Sequence, residues 1–399
     1  MNNMHTELVR ERDQSVNAQD SCVQDSTRKI KHQQEKTRQS PSAIALGFMP
    51  LTDCAPLVIA QEKGYFAKYG LKVTLERQNS WATMRDKLHT GHIDAAQLLA
   101  PMAIASSLGI NGNLCHVIAP MVLSQNGNAI TLSAALYDQI MVTHNLPALD
   151  LPLSAGLLKP IIEQRKESGK KLRFATVYPH SCHYYQLCHW LDINNVSLGQ
   201  VDIVIISPSN MVEALKKGEI DGFCVGGPYN AQAVRDKVGA TCVTSCDIWP
   251  NVPEKVLGMR AAWQQENPSQ SLALIAALQE ACNWLSNVAN RFEAALVLSQ
   301  PNYLDLDLSV IAPSLIGSCL VHHAISPRHI PAYNQFAGAN EQCVNQPTLY
   351  NGEWLLNAML KSNHIDSSLD IEEVIEQVFK PHVYKQALAY MPHSSQITR

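Results

Sequence analysis

The chain has 399 residues, 46% of them hydrophobic and 17% charged, with a formal charge of −4. That length exceeds one ordinary domain and provides for two cores. The apolar balance excludes a disordered chain, and the slight acidity argues against a nucleic-acid or anionic-lipid surface, which needs a basic excess.

Residues 1–41 are polar, mixed in charge and free of apolar runs, and they read as a disordered arm. A secretory signal needs an apolar core of about 7–15 residues, and a membrane span about 18. Neither pattern is found, so the expectation is a cytoplasmic chain without membrane contact. The 11 cysteines are odd in number and irregularly spaced, which reads as free thiols in a reducing compartment.

From Ala43 the pattern changes. "AIALGFM" is a short apolar run ending at Pro50 and predicts a strand. "DCAPLVIAQEKGYFAKYG" predicts one helix, with Asp53 as its cap and Gly64 or Gly70 as its stop. "LKVTLER" alternates like a strand. "SWATMRDKLHTG" predicts a helix between Ser80 and Gly91, and "IDAAQLL" a further strand.

The alternation restarts at "LRFATVY", followed by a helix from Ser181, a strand in "VDIVIIS" and another in "IDGFCVG". "DKLHTGHIDAAQLLAP" and "EALKKGEIDGFCVGGP" share the order helix, Gly, Ile-Asp, strand, Pro. Two related α/β lobes follow from this, with helical segments beyond about residue 265 packing on the first. Ligands of such folds lie in the cleft outside the carboxyl ends of the strands.

"YPHSCHYYQLCHW", residues 178–190, crowds histidines and cysteines. On a helix from Ser181 most of these side chains diverge, and the second ligand pair of a zinc site is missing, so packing is the expectation for Cys182, Cys188 and His189. His183 differs. It sits in the first turn, where free N–H groups and the helix dipole favour an anion. "CVGGPYN" is a second strand-to-helix turn, where Gly226 and Gly227 either make a plain tight turn or let backbone approach a ligand. By pattern alone Lys255 in "PEKVLGMR" is a surface lysine and Trp81 a core residue. No nucleophile elbow, His-Glu-x-x-His or salient carboxylate pair is found, so no catalytic residue is assigned and the chain is not expected to be an enzyme.

The segments "LGFMPLTDCAPLVIAQEKGYFAKYGL", "SWATMRDKLHTGHIDAAQLLAPM", "NGNAITLS", "VYPHSCHYYQLCHWL", "DGFCVGGPYNAQ" and "PEKVLGMRAAW" together resemble the nitrate- and bicarbonate-binding branch of ABC-transporter substrate-binding proteins. The resemblance implies a two-lobe periplasmic-binding-protein-like fold of type II, with a mixed sheet flanked by helices in each lobe. Lobe 1 is then 42–127 plus 255–399, and lobe 2 is 128–254. It also implies a nitrate site at Trp81, Asn128, His183, Gly226 and Lys255, with no metal and no cofactor. Asn128 stands where glutamine is common, and Gly227 where an acid is common. Bicarbonate relatives tend to carry an acid at the Lys255 position, so the lysine favours nitrate or nitrite.

Nitrate is flat, weakly hydrated and singly charged, and on this reading one lysine nearly balances it. Such a pair at about 4 Å is worth roughly 4 kcal/mol at an effective dielectric of 20. Cytoplasmic members of the branch resemble NasS-type sensors, which hold an ANTAR-type RNA-binding antiterminator and release it when the anion binds. The implied function is therefore control of nitrate-assimilation genes through that protein partner, with no direct nucleic-acid contact. The alternative is the solute-binding subunit of an ABC importer.

Overall fold

The computed structural model describes residues 43–110, 112–148, 150–338 and 344–391. The arm expected over 1–41 lies outside the described residues. Among the described residues, eleven strands make two larger sheets. Five strands of the first are β1 (Ile44–Phe48), β2 (Val73–Arg77), β3 (Ala95–Leu99), β4 (Val117–Asn126) and β10 (Pro253–Arg260). The second holds β5 (Asn128–Ser133), β6 (Leu172–Thr176), β7 (Val201–Ile205), β8 (Gly222–Gly226) and β9 (Gly239–Thr244).

The first sheet runs β2-β1-β3-β10-β4, with the short strand Asn334–Gln335 at its far edge, and the second runs β7-β6-β8-β5-β9. In each, three parallel strands are followed by one that runs against them and a last one that runs with them, joined by two antiparallel pairings. The echoed sequence segments end in β3 and β8, which hold the same place in the two sheets. Beside each lies a strand at a chain crossing. β5 follows β4 through Gly127, at φ +94°, and β10 follows β9 after the loop 245–252. Crossing points of this kind bring the carboxyl ends of both sets of parallel strands to one place.

The helices form for local reasons. Ser80 accepts a bond from the Thr83 amide at 3.1 Å, and Gly91 ends that helix at φ +76°. Ser181 caps Cys182–Asp192 in the same way. The segment after β1 departs from expectation. It breaks at Gly64, φ +71°, into Ala55–Glu62 and Tyr65–Lys68, and Asp53 makes no capping bond. Its carboxylate is engaged elsewhere.

Apolar faces of Ala55–Glu62, Pro268–Ser286 and Pro381–Tyr390 close over one side of the first sheet. The second sheet has its own core around Ile130, Phe174, Trp190 and Val243. The stretch 318–333 leaves the first sheet and lies on β9 and its following turn. There Thr241 N–H donates to Val321 at 2.8 Å, and Arg328 pairs with Asp247 at 2.8 Å.

Arg291, on the helix Val288–Leu298, is buried and locks several ends together. Its Nε donates to the Leu285 carbonyl at 2.8 Å, and its Nη1 to those of Leu315 and Asn334 at 2.9 Å each. Burial lowers its pKa to about 10, which still leaves it charged at neutral pH. Arg291→Leu strips three buried carbonyls of their donor. We expect a loss of about 3 kcal/mol or more in chemical unfolding. An unchanged midpoint would show that water replaces the guanidinium.

Candidate functional site

β1 ends at Phe48, and the turn after it carries Asp53 beneath β3. There Asp53 Oδ1 accepts from Gln97 Nε2 at 2.6 Å, while Gln97 Oε1 accepts from the Met49 amide at 3.0 Å. This fixes the second carboxylate oxygen, which meets Lys255 Nζ at 2.8 Å. Lys255 and Glu254 are neighbours on β10, a strand buried on both faces from Pro253 to Met259. Glu254 Oε1 accepts from the same ammonium at 2.8 Å. Lys255 is 0% exposed, with Asp53 and Glu254 at 1% each.

The second sheet and its helices supply neutral groups. Asn128, first residue of β5, donates from Nδ2 to Glu254 Oε2 at 2.6 Å and to Gln186 Oε1 at 2.9 Å. It pairs in register with Gly226, the last residue of β8. A Cβ on Gly226 would lie 3.4 Å from Asp53 Oδ2 and 3.5 Å from Asn128 Oδ1, so the glycine lets backbone approach both. His183, in the first turn after β6, places Nδ1 3.5 Å from Glu254 Oε1. Trp81, at the helix start after β2, lies with its ring centroid 5.6 Å from Lys255 Nζ.

The five residues expected at an anion site therefore gather around one ion cluster. Trp81 Nε1, Asn128 Oδ1 and both ring nitrogens of His183 are buried without a hydrogen-bond partner among the described residues. Orphaned buried polar atoms are uncommon, and several at one place ask for a functional reason. The amide of Asn128 does not serve as expected. Both its hydrogens are committed to Glu254 and Gln186, so in this arrangement it holds the carboxylate and leaves only its oxygen uncommitted.

Electrostatics also change the expected balance. Lys255 is not a surface lysine. Burial alone would lower its pKa, but Asp53 and then Glu254 outweigh this and hold it above the ordinary lysine range. Burial raises Glu254, with Lys255 pulling it partly back. Burial, then Lys255, pushes His183 well below the ordinary histidine range, so the imidazole is neutral and its approach to Glu254 is not an ion pair. One lysine therefore does not simply await an anion: it already faces two carboxyl groups. Gly227 has a physical reason as well. A Cβ there would meet Ser314 Oγ at 2.6 Å and Thr52 Oγ1 at 2.8 Å, so no acid fits.

The other histidines of 178–190 serve packing. His180 lies edge-on to His364, with centroids 4.8 Å apart, and His189 rests on Trp249 at 4.2 Å. Cys182 and Cys188 are buried, and the nine described cysteines are free thiols. Among the described residues no three His, Cys, Asp or Glu side chains gather as a metal site, and no helix is long and apolar enough to cross a membrane.

Residues 37–299 match the NMT1-like family. The chain belongs to that family. Within it, this NMT1-like chain is of the NrtA/CmpA kind of substrate-binding protein. It is 32% identical over 353 residues to the nitrate/nitrite binding protein NrtA of Synechococcus elongatus, covering 86% of this chain and 77% of that one. It is 34% identical over 351 residues to the nitrate import ATP-binding protein NrtC of Synechocystis, covering 87% of this chain but 50% of NrtC, so it spans about half of that relative. The crystal structure of the periplasmic nitrate-binding protein NrtA from Synechocystis PCC 6803 superposes with a TM-score of 0.80 at 26% identity, covering 88% of this chain and 89% of that one. The architecture of this NMT1-like chain is thus the two-lobe periplasmic-binding-protein fold of type II.

Sequence reasoning missed Asp53, Gln97, Gln186 and Glu254. A signal existed for Glu254: two adjacent charges inside "VPEKVLGM" can both be buried only as a compensated pair. Lys255→Met should remove that compensation and cost about 3–5 kcal/mol of stability at neutral pH. Burial already raises Glu254, and without Lys255 to pull it back its folded pKa would lie further above the unfolded one. Its stability contribution is full below the unfolded pKa and is lost as pH rises through the folded one. Urea unfolding should therefore show a larger deficit at about pH 8 than at about pH 5. A pH-independent deficit would contradict the ion cluster.

Proposed function

We propose that this chain is a receptor for a small monovalent oxyanion, nitrate or nitrite, held between Trp81, His183, Gly226 and Lys255, with Asn128 at its edge. The observation that carries the reading is that Trp81 Nε1 and both ring nitrogens of His183 are buried without a partner among the described residues, beside the cluster of Lys255, Asp53 and Glu254. Nitrate accepts in its plane through three oxygens and donates nothing. An indole can wall its face, and an imidazole N–H and an ammonium can meet its edge. No step of bond-making is needed, and no cofactor enters. The relatives named as nitrate binders support the same ligand class.

For the output we propose regulation in the cytoplasm: closure of the two halves around the anion lowers affinity for an ANTAR-type antiterminator protein. The motifs resemble the branch to which NasS-type sensors belong, and this output is the one such a sensor would have. A second reading, the solute-binding subunit of an importer, is supported by the relatives named for import and for the periplasm.

Calorimetry with nitrate should give micromolar binding, which needs about 8 kcal/mol. Lys255→Ala should weaken it at least tenfold, about 1.4 kcal/mol. An unchanged dissociation constant would remove Lys255 from the site. Fractionation of the native host should place the chain in the cytoplasm, and the antiterminator should co-purify with it in nitrate-free buffer and be released by nitrate. A periplasmic product would favour import, and a complex that persists at saturating nitrate would refute release.

A further inference from the structure

Two carboxyl groups, Asp53 and Glu254, contact one ammonium, Lys255, in a place closed to solvent. With both ionised, the cluster is negative by one charge before any anion arrives. Nitrate carries no hydrogen and cannot soften that repulsion by donating to a carboxylate. A second net negative charge in a low dielectric is expensive.

The groups facing Glu254 narrow where compensation can come from. Lys255 and Asp53 belong to the cluster itself. The helix Cys182–Asp192 brings the neutral His183 and the buried thiol of Cys182, β8 brings the thiol of Cys224, and β5 brings the amide of Asn128. Burial raises both thiols far above neutrality, so neither supplies charge. Both ring nitrogens of His183 lack a partner among the described residues, and Nδ1 sits 3.5 Å from Glu254 Oε1.

Resting on the oxyanion reading above, we infer that nitrate binding takes up one proton from solvent, and that Glu254 holds it. The protonated carboxyl donates from Oε1 to His183 Nδ1. That fixes the imidazole as its Nε2–H tautomer and aims this hydrogen at the anion. Nitrate and proton enter together, so the net charge of the cluster does not change. Burial, which already lifts the Glu254 pKa, acts in the same direction. Glu254 is thus a positioning residue: it orients the donor and sets the charge balance without being the principal contact.

Calorimetry of the full chain with sodium nitrate, in two buffers of different ionisation enthalpy, counts the protons taken up. Between about pH 6 and pH 9 the count should reach nearly one, and where it does affinity should fall about tenfold per pH unit. Glu254→Gln should reduce the count to near zero and flatten that slope. Nitrate binding without proton uptake across the range overturns the inference alone. Uptake of a full proton by the Gln variant moves the proton elsewhere and also overturns it. If the variant does not fold, the wild-type count decides. Failure of nitrate to bind at any pH overturns the oxyanion reading and this inference with it.

Discussion

The ammonium of Lys255, held at 2.8 Å from each of two carboxylates and shielded from water, is the interaction on which this centre depends. Burying three charged groups is costly, and the cost is offset only where geometry is tight and the remaining lone pairs are satisfied. Here Gln97 fixes Asp53, and Asn128 fixes Glu254. The cluster is therefore a rigid floor. It specifies where charge sits, and it makes that place sensitive to any further charge.

Its parts divide between the two sheets in an informative way. Asp53, Trp81, Glu254 and Lys255 come from the first sheet and the turns at its strand ends. The second contributes neutral groups: Asn128, His183, Gln186 and the backbone at Gly226. Contacts outside the centre tie the same halves together: Thr52 N–H donates to Gly227 at 2.9 Å, and Arg85 donates to the Tyr178 hydroxyl at 2.9 Å. Separating the halves would expose the cluster to water and free Glu254 from Asn128. Ligand contacts made from both sides would then favour closure, which is the differential affinity any conformational readout requires. To move a population from 1:99 to 99:1, that preference must reach about 5.5 kcal/mol.

Much of this was legible in the sequence because local rules and tertiary demands agree. The caps at Ser80 and Ser181, the echo ending in β3 and β8, and the strand character of "PEKVLGMR" follow from spacing and residue type. So did the grouping of Trp81, His183, Gly226 and Lys255, though only through the motif resemblance: their separation in sequence carries no distance information. Asp53 shows the limit. Beside Pro56 it has the features of a helix cap, and only a lysine some 200 positions away in the chain explains why its carboxylate turns elsewhere. Glu254 was obscured by the same logic, since a charge beside a charge reads as solvated surface until burial is known. Asn128 lies beside the ion cluster, but its two hydrogens go to partners that no local pattern reveals.

A high-resolution crystal structure of the chain grown in nitrate would locate the anion directly. Planar density should be bounded by the Trp81 indole, the Nε2 of His183 and the ammonium of Lys255, with Lys255 still contacting Asp53. Nitrate density at a different place in the molecule, or Lys255 turned outward to solvent, would contradict it.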